Sequence, residues 1–227
     1  MKEILQKLIE KKDLEQSEIA VAINCALEKE NPVQMGAFLV LLEAKGITAK
    51  ELVWSLEVLQ AQATLVDCPF DVLDIVGTGG DYANTFNIST GSAILAAACG
   101  LKVAKHGNRS VSSNCGSADL VEEFGVKLEL SKEEVLKCLE KVGLGFMFSP
   151  TFNPAAKAVK EVRSQLGIRT LFNIMGPLLN PARAKFMIVG VYSEALMDLI
   201  SKALLKLGKT ALVICSNGVD EITPVSK

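Results

Sequence analysis

From Phe70 onward the chain carries five short runs rich in β-branched and aromatic residues: FDVLDIV, LKVAKH, GFMFS, FMIVGVY and ALVICS. Longer amphipathic stretches separate them. This alternation constrains the fold more than any other feature, because strands spaced by helix-length segments join as βαβ units into a largely parallel sheet. Caps punctuate the intervening helices. One after Thr90 ends at Gly100, and one opened by Ser131 with Glu134 at its third position ends at Gly143. Another is opened by Asn153-Pro154 and ends at Gly167, and a fourth runs from Ser193 to Gly208.

Residues 1–66 carry no strand run and read as helix throughout. Ile4, Leu5, Leu8 and Ile9 share one face, and Ser17 is placed to cap a second helix that runs through Ala26. Asn31-Pro32 is a cap and first-turn pair for a third helix that stops at Gly46. Thr48 with Glu51 forms a capping box for a fourth, which holds the only tryptophan, Trp54. The pattern changes near Asp67-Cys68-Pro69. The sequence therefore predicts an α/β protein with a small N-terminal helical domain, 1–66, and a larger α/β domain with a largely parallel central sheet, 67–227.

Composition narrows the function. With 49% hydrophobic residues but 5% aromatics over 227 residues, the core is packed mainly by aliphatic side chains. Lysine and arginine number 24 against 26 aspartates and glutamates, so no broad basic face is expected for gripping nucleic acid. Any phosphate must be held locally. Six cysteines without CxxC spacing read as reduced thiols of a cytoplasmic protein, and one histidine, His106, makes a zinc site of His/Cys type unexpected. The N-terminus lacks a signal-peptide core, and the longest apolar run, around Ala93 to Val103, is broken by Gly100 and Lys102. No membrane span is expected.

The stretch GTGGD, Gly77 to Asp81, directly follows a strand run, and Thr85, Ser89 and Thr90 lead from it into a helix. Glycines let several backbone N–H groups converge on an anion without a Cβ in the way, and a helix N-terminus favours negative charge. A polyphosphate cradle and a plain tight turn both fit this stretch. It is neither a Walker A loop nor a complete GxGxxG. KHGNRSVSSNCGSAD, Lys105 to Asp119, follows the next strand and opens from the same sheet edge. It reads either as the second wall of a crevice or as a solvated loop. Arg163 lies on a helix that reads PAAKAVKEVRSQLG. Its forked donors match a carboxylate, although a surface arginine is the simpler account. Asp220-Glu221, after ALVICS, reads as an acidic turn or as a pair turned towards one hard cation.

Taken in order, GTGGD, NIST, KHGNR with SS and GSAD, the Arg163 helix, RTLFNIMGPLLNPA and VDE resemble the anthranilate phosphoribosyltransferase family of tryptophan biosynthesis. The resemblance runs from the N-terminal helices to Lys227. It implies a glycosyltransferase that moves the phosphoribosyl group of phosphoribosyl pyrophosphate onto the amine of anthranilate, with Mg²⁺ as cofactor. It implies a helix 154–166 packed with the helical domain at a hinge, and a homodimer through the N-terminal helices. Gly77, Gly79, Gly80, Asp81, Thr85, Asn87, Ser89 and Thr90, with Lys105 and Ser117, are the residues it gives to phosphoribosyl pyrophosphate. Gly77, His106, Asn108 and Arg163 go to anthranilate, Ser89 to one Mg²⁺, and Asp220 with Glu221 to a second.

Two departures accompany the resemblance. Family members usually carry a histidine and then a bulkier residue where this chain has Asn153 and Ala156, beside the aromatic acceptor. They also continue beyond the acidic pair with further strands and helices, so the C-terminal part of the α/β domain is expected to be missing. Two other readings share the architecture: a pyrimidine nucleoside phosphorylase, which KHGNR and VDE oppose, and a non-catalytic nucleic-acid-binding relative, which the charge balance opposes.

Overall fold

Short local signals start most of the helices. The structure, a computed structural model, describes residues 1–28, 31–79, 86–110, 115–216 and 219–223. Helix α1 (Lys2–Ile9) buries Ile4 and Leu8, but Ile9, expected on the same face, ends the helix and is exposed. Helix α2 (Gln16–Glu28) starts before the expected cap Ser17. The reason is that Glu18 N and Ile19 N both donate to the Glu15 carbonyl, while the Glu18 carboxylate accepts from Glu15 N at 2.9 Å. Helix α3 (Pro32–Lys45) begins where Asn31 Oδ1 accepts from Gln34 N and stops at Gly46, whose φ is 94°. Helix α4 (Ala49–Gln60) carries the Thr48–Glu51 capping box. Residues 61–66 are not helical, which corrects the reading of 1–66 as helix throughout.

Strand β1 (Leu73–Gly77), helix α5 (Ile88–Ala98), strand β2 (Val103–Gly107) and helices α6 (Ser117–Glu123) and α7 (Lys132–Val142) come next. Strand β3 (Leu144–Phe148) runs straight into the one-turn helix α8 (Ser149–Phe152). The last third holds α9 (Lys160–Leu166), α10 (Leu171–Met175), β4 (Phe186–Gly190), α11 (Glu194–Lys206) and β5 (Thr210–Ile214).

Two further helix starts differ from expectation. Helix α5 begins at Ile88 because Thr90 N and Gly91 N already donate to the Asn87 carbonyl. The expected single helix 154–166 is divided into a 3₁₀ turn, Pro154–Lys157, and α9. Asn153 gives its side-chain amide to the Leu179 carbonyl (3.0 Å) and caps nothing, and Ala158 N bonds back only three residues to Ala155. Helical bonding restarts when Arg163 N donates to the carbonyl of Val159, which is buried.

The chain divides into two units, Met1–Ala63 with Asn153–Leu179, and Thr64–Phe152 with Asn180–Lys227. In the first, the Glu51 carboxylate is fully buried. It accepts from Leu14 N (3.0 Å), Thr48 N and Thr48 Oγ1 (both 2.9 Å), and Lys45 Nζ (2.9 Å), while Lys45 also holds Asp13 (2.8 Å). One carboxylate therefore ties α4 to the α1–α2 connection and to the end of α3.

In the second unit all five strands run parallel in the order β3-β2-β1-β4-β5. After β3 the chain returns to the far side of β1, so β1 and β4 flank the topological switch point. Open sheets of this kind bind ligands outside that point. Helix α5 packs Ala93 on Ile75 and Val103, and α6 packs Ala118 and Val121 on Phe146 and Phe148. Helix α7 lies on the opposite face, where Val135 and Leu139 press on Gly145. Register is kept over five residue pairs between β1 and β4, ending at Gly77↔Gly190, but between β1 and β2 it is kept only at Leu73↔Val103.

Breaking a buried ion pair by removing one partner typically costs several kcal/mol. Glu51→Ala is therefore expected to lower unfolding stability by about 3 kcal/mol, read by urea denaturation of Trp54 fluorescence. A loss below about 1 kcal/mol would place the network among weak surface pairs.

Candidate active site

The mouth of the β1–β4 switch point is shaped by two missing Cβ atoms. A Cβ on Gly77 would fall on Asp220 Oδ2, and one on Gly190 would fall on the Asp220 carbonyl oxygen. Only glycines in register leave this slot, so the acidic turn after β5 seats against the carboxyl ends of both strands. Asp220 is 8% exposed there, and its Oδ2 accepts from Gly79 N at 2.8 Å. Gly79 has φ 61°, a left-handed conformation that glycine adopts without strain. Thr78 fixes the approach to the turn, donating from its N to the Gly190 carbonyl (2.9 Å) while its Oγ1 accepts from Tyr192 N (3.1 Å).

Beyond Leu73↔Val103, side chains tie β1 to β2. Asn180, buried just after the GPLL turn, donates from Nδ2 to Asp74 Oδ2 (2.7 Å) and to the Ala104 carbonyl (2.8 Å), and its Oδ1 accepts from Ala182 N (2.8 Å). Lys105 is 3% exposed and donates from Nζ to the Ile75 carbonyl (2.8 Å). Asp74 is fully buried, and among the described residues its Oδ1 makes no hydrogen bond. Burial pushes the Asp74 carboxyl up to about 6, against the pull of Lys105 and Asn180. Burial likewise lowers the Lys105 ammonium, which the charges of Asp74 and Glu221 support. His106, beside them on β2, is brought down to about 4 by burial and by Lys105. It is neutral at pH 7, with Nε2 3.2 Å from Ser149 Oγ.

The described residues of the second loop brace one another. A Cβ on Gly116 would strike the backbone of Asn108, Arg109 and Ser110, and one on Gly107 would strike Ser117 Oγ. Asp119 Oδ2 accepts from Ser110 N (2.9 Å) and Gly116 N (2.8 Å). Arg109 holds Glu122 with two bonds (2.6 and 2.8 Å) and Asp119 with one (3.1 Å). Asn87 joins the two loops, its Nδ2 donating to the Gly116 carbonyl at 3.2 Å.

Of the residues singled out in the sequence, the second unit gathers Gly77, Gly79 and Asp220 at the switch point. Lys105 and His106 stand side by side on β2, and Asn87 reaches the loop of Asn108 and Ser117. Ser89 is half-buried and Thr90 buried in the first turn of α5, and Glu221 is half-buried next to Asp220. Gly80, Asp81 and Thr85 lie outside the described residues, as does the side chain of Ala156. Arg163 belongs to the first unit, half-buried, with its guanidinium carbon 5.9 Å from the Phe172 ring centroid. Burial lowers its guanidinium, and among the described residues no carboxylate pairs with it.

Asp74, Asn180, Gly190 and Ser149 were not singled out. The signals for three of them are an aspartate inside the apolar run FDVLDIV, an asparagine before a proline, and a glycine closing a strand. Ser149 carries no such signal.

Among the described residues no group of three or more His, Cys, Asp or Glu could hold a metal ion. Two adjacent carboxylates at the mouth still suit Mg²⁺, which keeps much of its water and is commonly held by one or two carboxylates plus substrate phosphates. The donor set fits a cation that arrives with its anion. The arrangement can therefore present a backbone N–H and a hard cation to the same polyanion.

Two family models match the chain, the helical bundle domain of a glycosyl transferase family over residues 2–63 and its a/b domain over 70–227. These matches define the class as a two-domain glycosyl transferase. The anthranilate phosphoribosyltransferase of Chlamydia caviae is 46% identical over 225 residues, which are 98% of this chain and 66% of that protein. The crystal structure of the Thermus thermophilus enzyme has a TM-score of 0.91 at 40% identity, covering 96% of this chain and 67% of the other. The Saccharomyces cerevisiae enzyme in complex with PRPP and Mg has a TM-score of 0.90 at 30% identity, covering 99% and 68%. A further structure of that yeast enzyme is in complex with 4-fluoroanthranilate, with a TM-score of 0.86 at 28% identity and coverage of 99% and 66%. The chain belongs to the anthranilate phosphoribosyltransferase family, and it spans about two thirds of the length of the curated relatives it matches.

Proposed function

We propose that the chain carries the phosphoribosyl-donor site of an anthranilate phosphoribosyltransferase acting in tryptophan biosynthesis. In that reaction the amine of anthranilate forms a bond to C1 of the ribose and loses a proton. The bond from C1 to the pyrophosphate oxygen breaks, and its electron pair leaves with pyrophosphate. The observation that carries the reading is the Gly79 N–H, held at the β1–β4 switch point and already donating to an anion, Asp220.

Breaking the C1–O bond loads negative charge on the leaving pyrophosphate. Donors fixed in place before the reaction stabilise that charge without reorganising. Gly77, Gly79, Gly80, Asp81, Thr85, Asn87, Ser89 and Thr90 are assigned to the donor, and Lys105 and Ser117 to its phosphates. Lys105, clamped on the Ile75 carbonyl, acts as a fixed positive charge behind the loop. Ser89 would hold one Mg²⁺ and the Asp220–Glu221 pair a second, and the metal charge would neutralise part of the charge on the leaving group. Arg163, without a carboxylate partner among the described residues, is assigned to the anthranilate carboxylate, with Gly77, Asn108 and neutral His106 lining the acceptor side. No protein nucleophile is required.

A cytoplasmic setting agrees with six cysteines that form no disulfide, and no helix among the described residues is long and apolar enough to cross a membrane. A homodimer through the N-terminal helices agrees with the exposure of Ile9 (59%) and Val33 (80%). Light scattering at micromolar concentration is expected to give twice the chain mass, and a single-chain mass would remove the dimer.

The test of the function is the decay of anthranilate fluorescence on mixing protein, Mg²⁺ and phosphoribosyl pyrophosphate. Decay that needs every component is expected. Gly79→Ala should slow it by about tenfold: among the described residues nothing lies within 4 Å of the added Cβ, and the left-handed φ alone costs an L-residue roughly 1–2 kcal/mol. No decay by the wild-type chain, or decay driven instead by a nucleoside and phosphate, would overturn the assignment.

A further inference from the structure

The Asp220 carboxylate stands where an incoming polyanion would place an oxygen. Its Oδ2 takes the Gly79 N–H at 2.8 Å, in a left-handed turn at the switch point of the sheet. The fit is built. Gly77 and Gly190, paired in register, each lack a Cβ that would collide with Asp220, and the residue is 8% exposed in the slot they leave. An N–H engaged by a carboxylate cannot give the same bond to a phosphate oxygen. A fixed negative charge beside it also repels a bare polyanion.

We infer that Asp220 determines specificity for a metal-bound diphosphate over a free one, by withholding the Gly79 N–H until a divalent cation draws its carboxylate away. This rests on the donor site proposed above. A hard cation prefers oxygen ligands, and Glu221 adds a second carboxylate next to Asp220. The cation and the N–H therefore become available to the diphosphate in one exchange. Inorganic phosphates without a cation meet an occupied donor and a like charge.

The experiment is isothermal titration calorimetry of the full chain with inorganic pyrophosphate, once with Mg²⁺ and once with EDTA, on wild type, Asp220→Asn and Asp220→Ala. The asparagine variant keeps the shape and an oxygen for Gly79 N–H and removes only the charge, so it preserves the slot. The alanine variant removes the acceptor as well. Wild type should bind far more tightly with Mg²⁺ than with EDTA. Asp220→Ala should bind pyrophosphate in EDTA about tenfold more tightly than wild type, a change of about 1.4 kcal/mol. Asp220→Asn, which still occupies the Gly79 N–H, should gain less, and both should lose most of the gain from Mg²⁺. Mg²⁺-dependent binding by wild type, with variants that bind no better in EDTA, overturns this inference and leaves the donor site standing. If wild type binds no pyrophosphate under either condition, the donor site and this inference fall together.

Discussion

Gly77 and Gly190 stand side by side in register at the carboxyl ends of β1 and β4, and the site depends on what they lack. Any Cβ at either position would occupy the space filled by Asp220. With both absent, a turn more than 140 positions later in sequence than Gly77 lays its carboxylate on the glycine loop. Gly79, the end of β4 and the acidic turn after β5 are thereby fixed to one another. Parallel strand order alone would bring these ends to one edge, but it would not set the distance between Gly79 N and a carboxylate.

Behind that edge lies a polar seam that the sheet itself does not need. Between β1 and β2 the register pairing stops after one residue pair, and Asn180, Asp74 and Lys105 take over the bridging. Burying such groups is costly unless they are bonded or paired. Asn180 meets this by using both amide hydrogens and its oxygen, and the charges of Asp74 and Lys105 favour each other. The outcome is a positive charge and a neutral imidazole held rigidly below the loops. A chemistry that drives off a polyanion needs charge fixed in advance.

Much of the architecture was legible because its signals are local. Each β-rich run became a strand, and the boxes at Thr48–Glu51 and Ser131–Glu134 cap the helices they predict. Local signals fall short where a distant partner decides. Glu51 reads as a capping residue, but Leu14 and Lys45 make it the buried junction of the helical unit. Asn153 reads as a cap, but its amide serves Leu179 and the helix breaks at 158–159. Lys105 reads as a phosphate-binding lysine, and no local signal marks the bond from its Nζ to a carbonyl of the neighbouring strand. Asn180 was visible only as an asparagine before a proline, since its role depends on β1 and β2 lying beside it. The GTGGD and VDE stretches were legible as sites, but not the contact between them.

The most direct measurement is a crystal structure grown with Mg²⁺ and pyrophosphate. The account predicts pyrophosphate at the β1–β4 switch point, with an oxygen on Gly79 N and the Asp220 carboxylate moved from that N–H to the cation. Pyrophosphate bound elsewhere, or bound there with Asp220 still on Gly79, would contradict it.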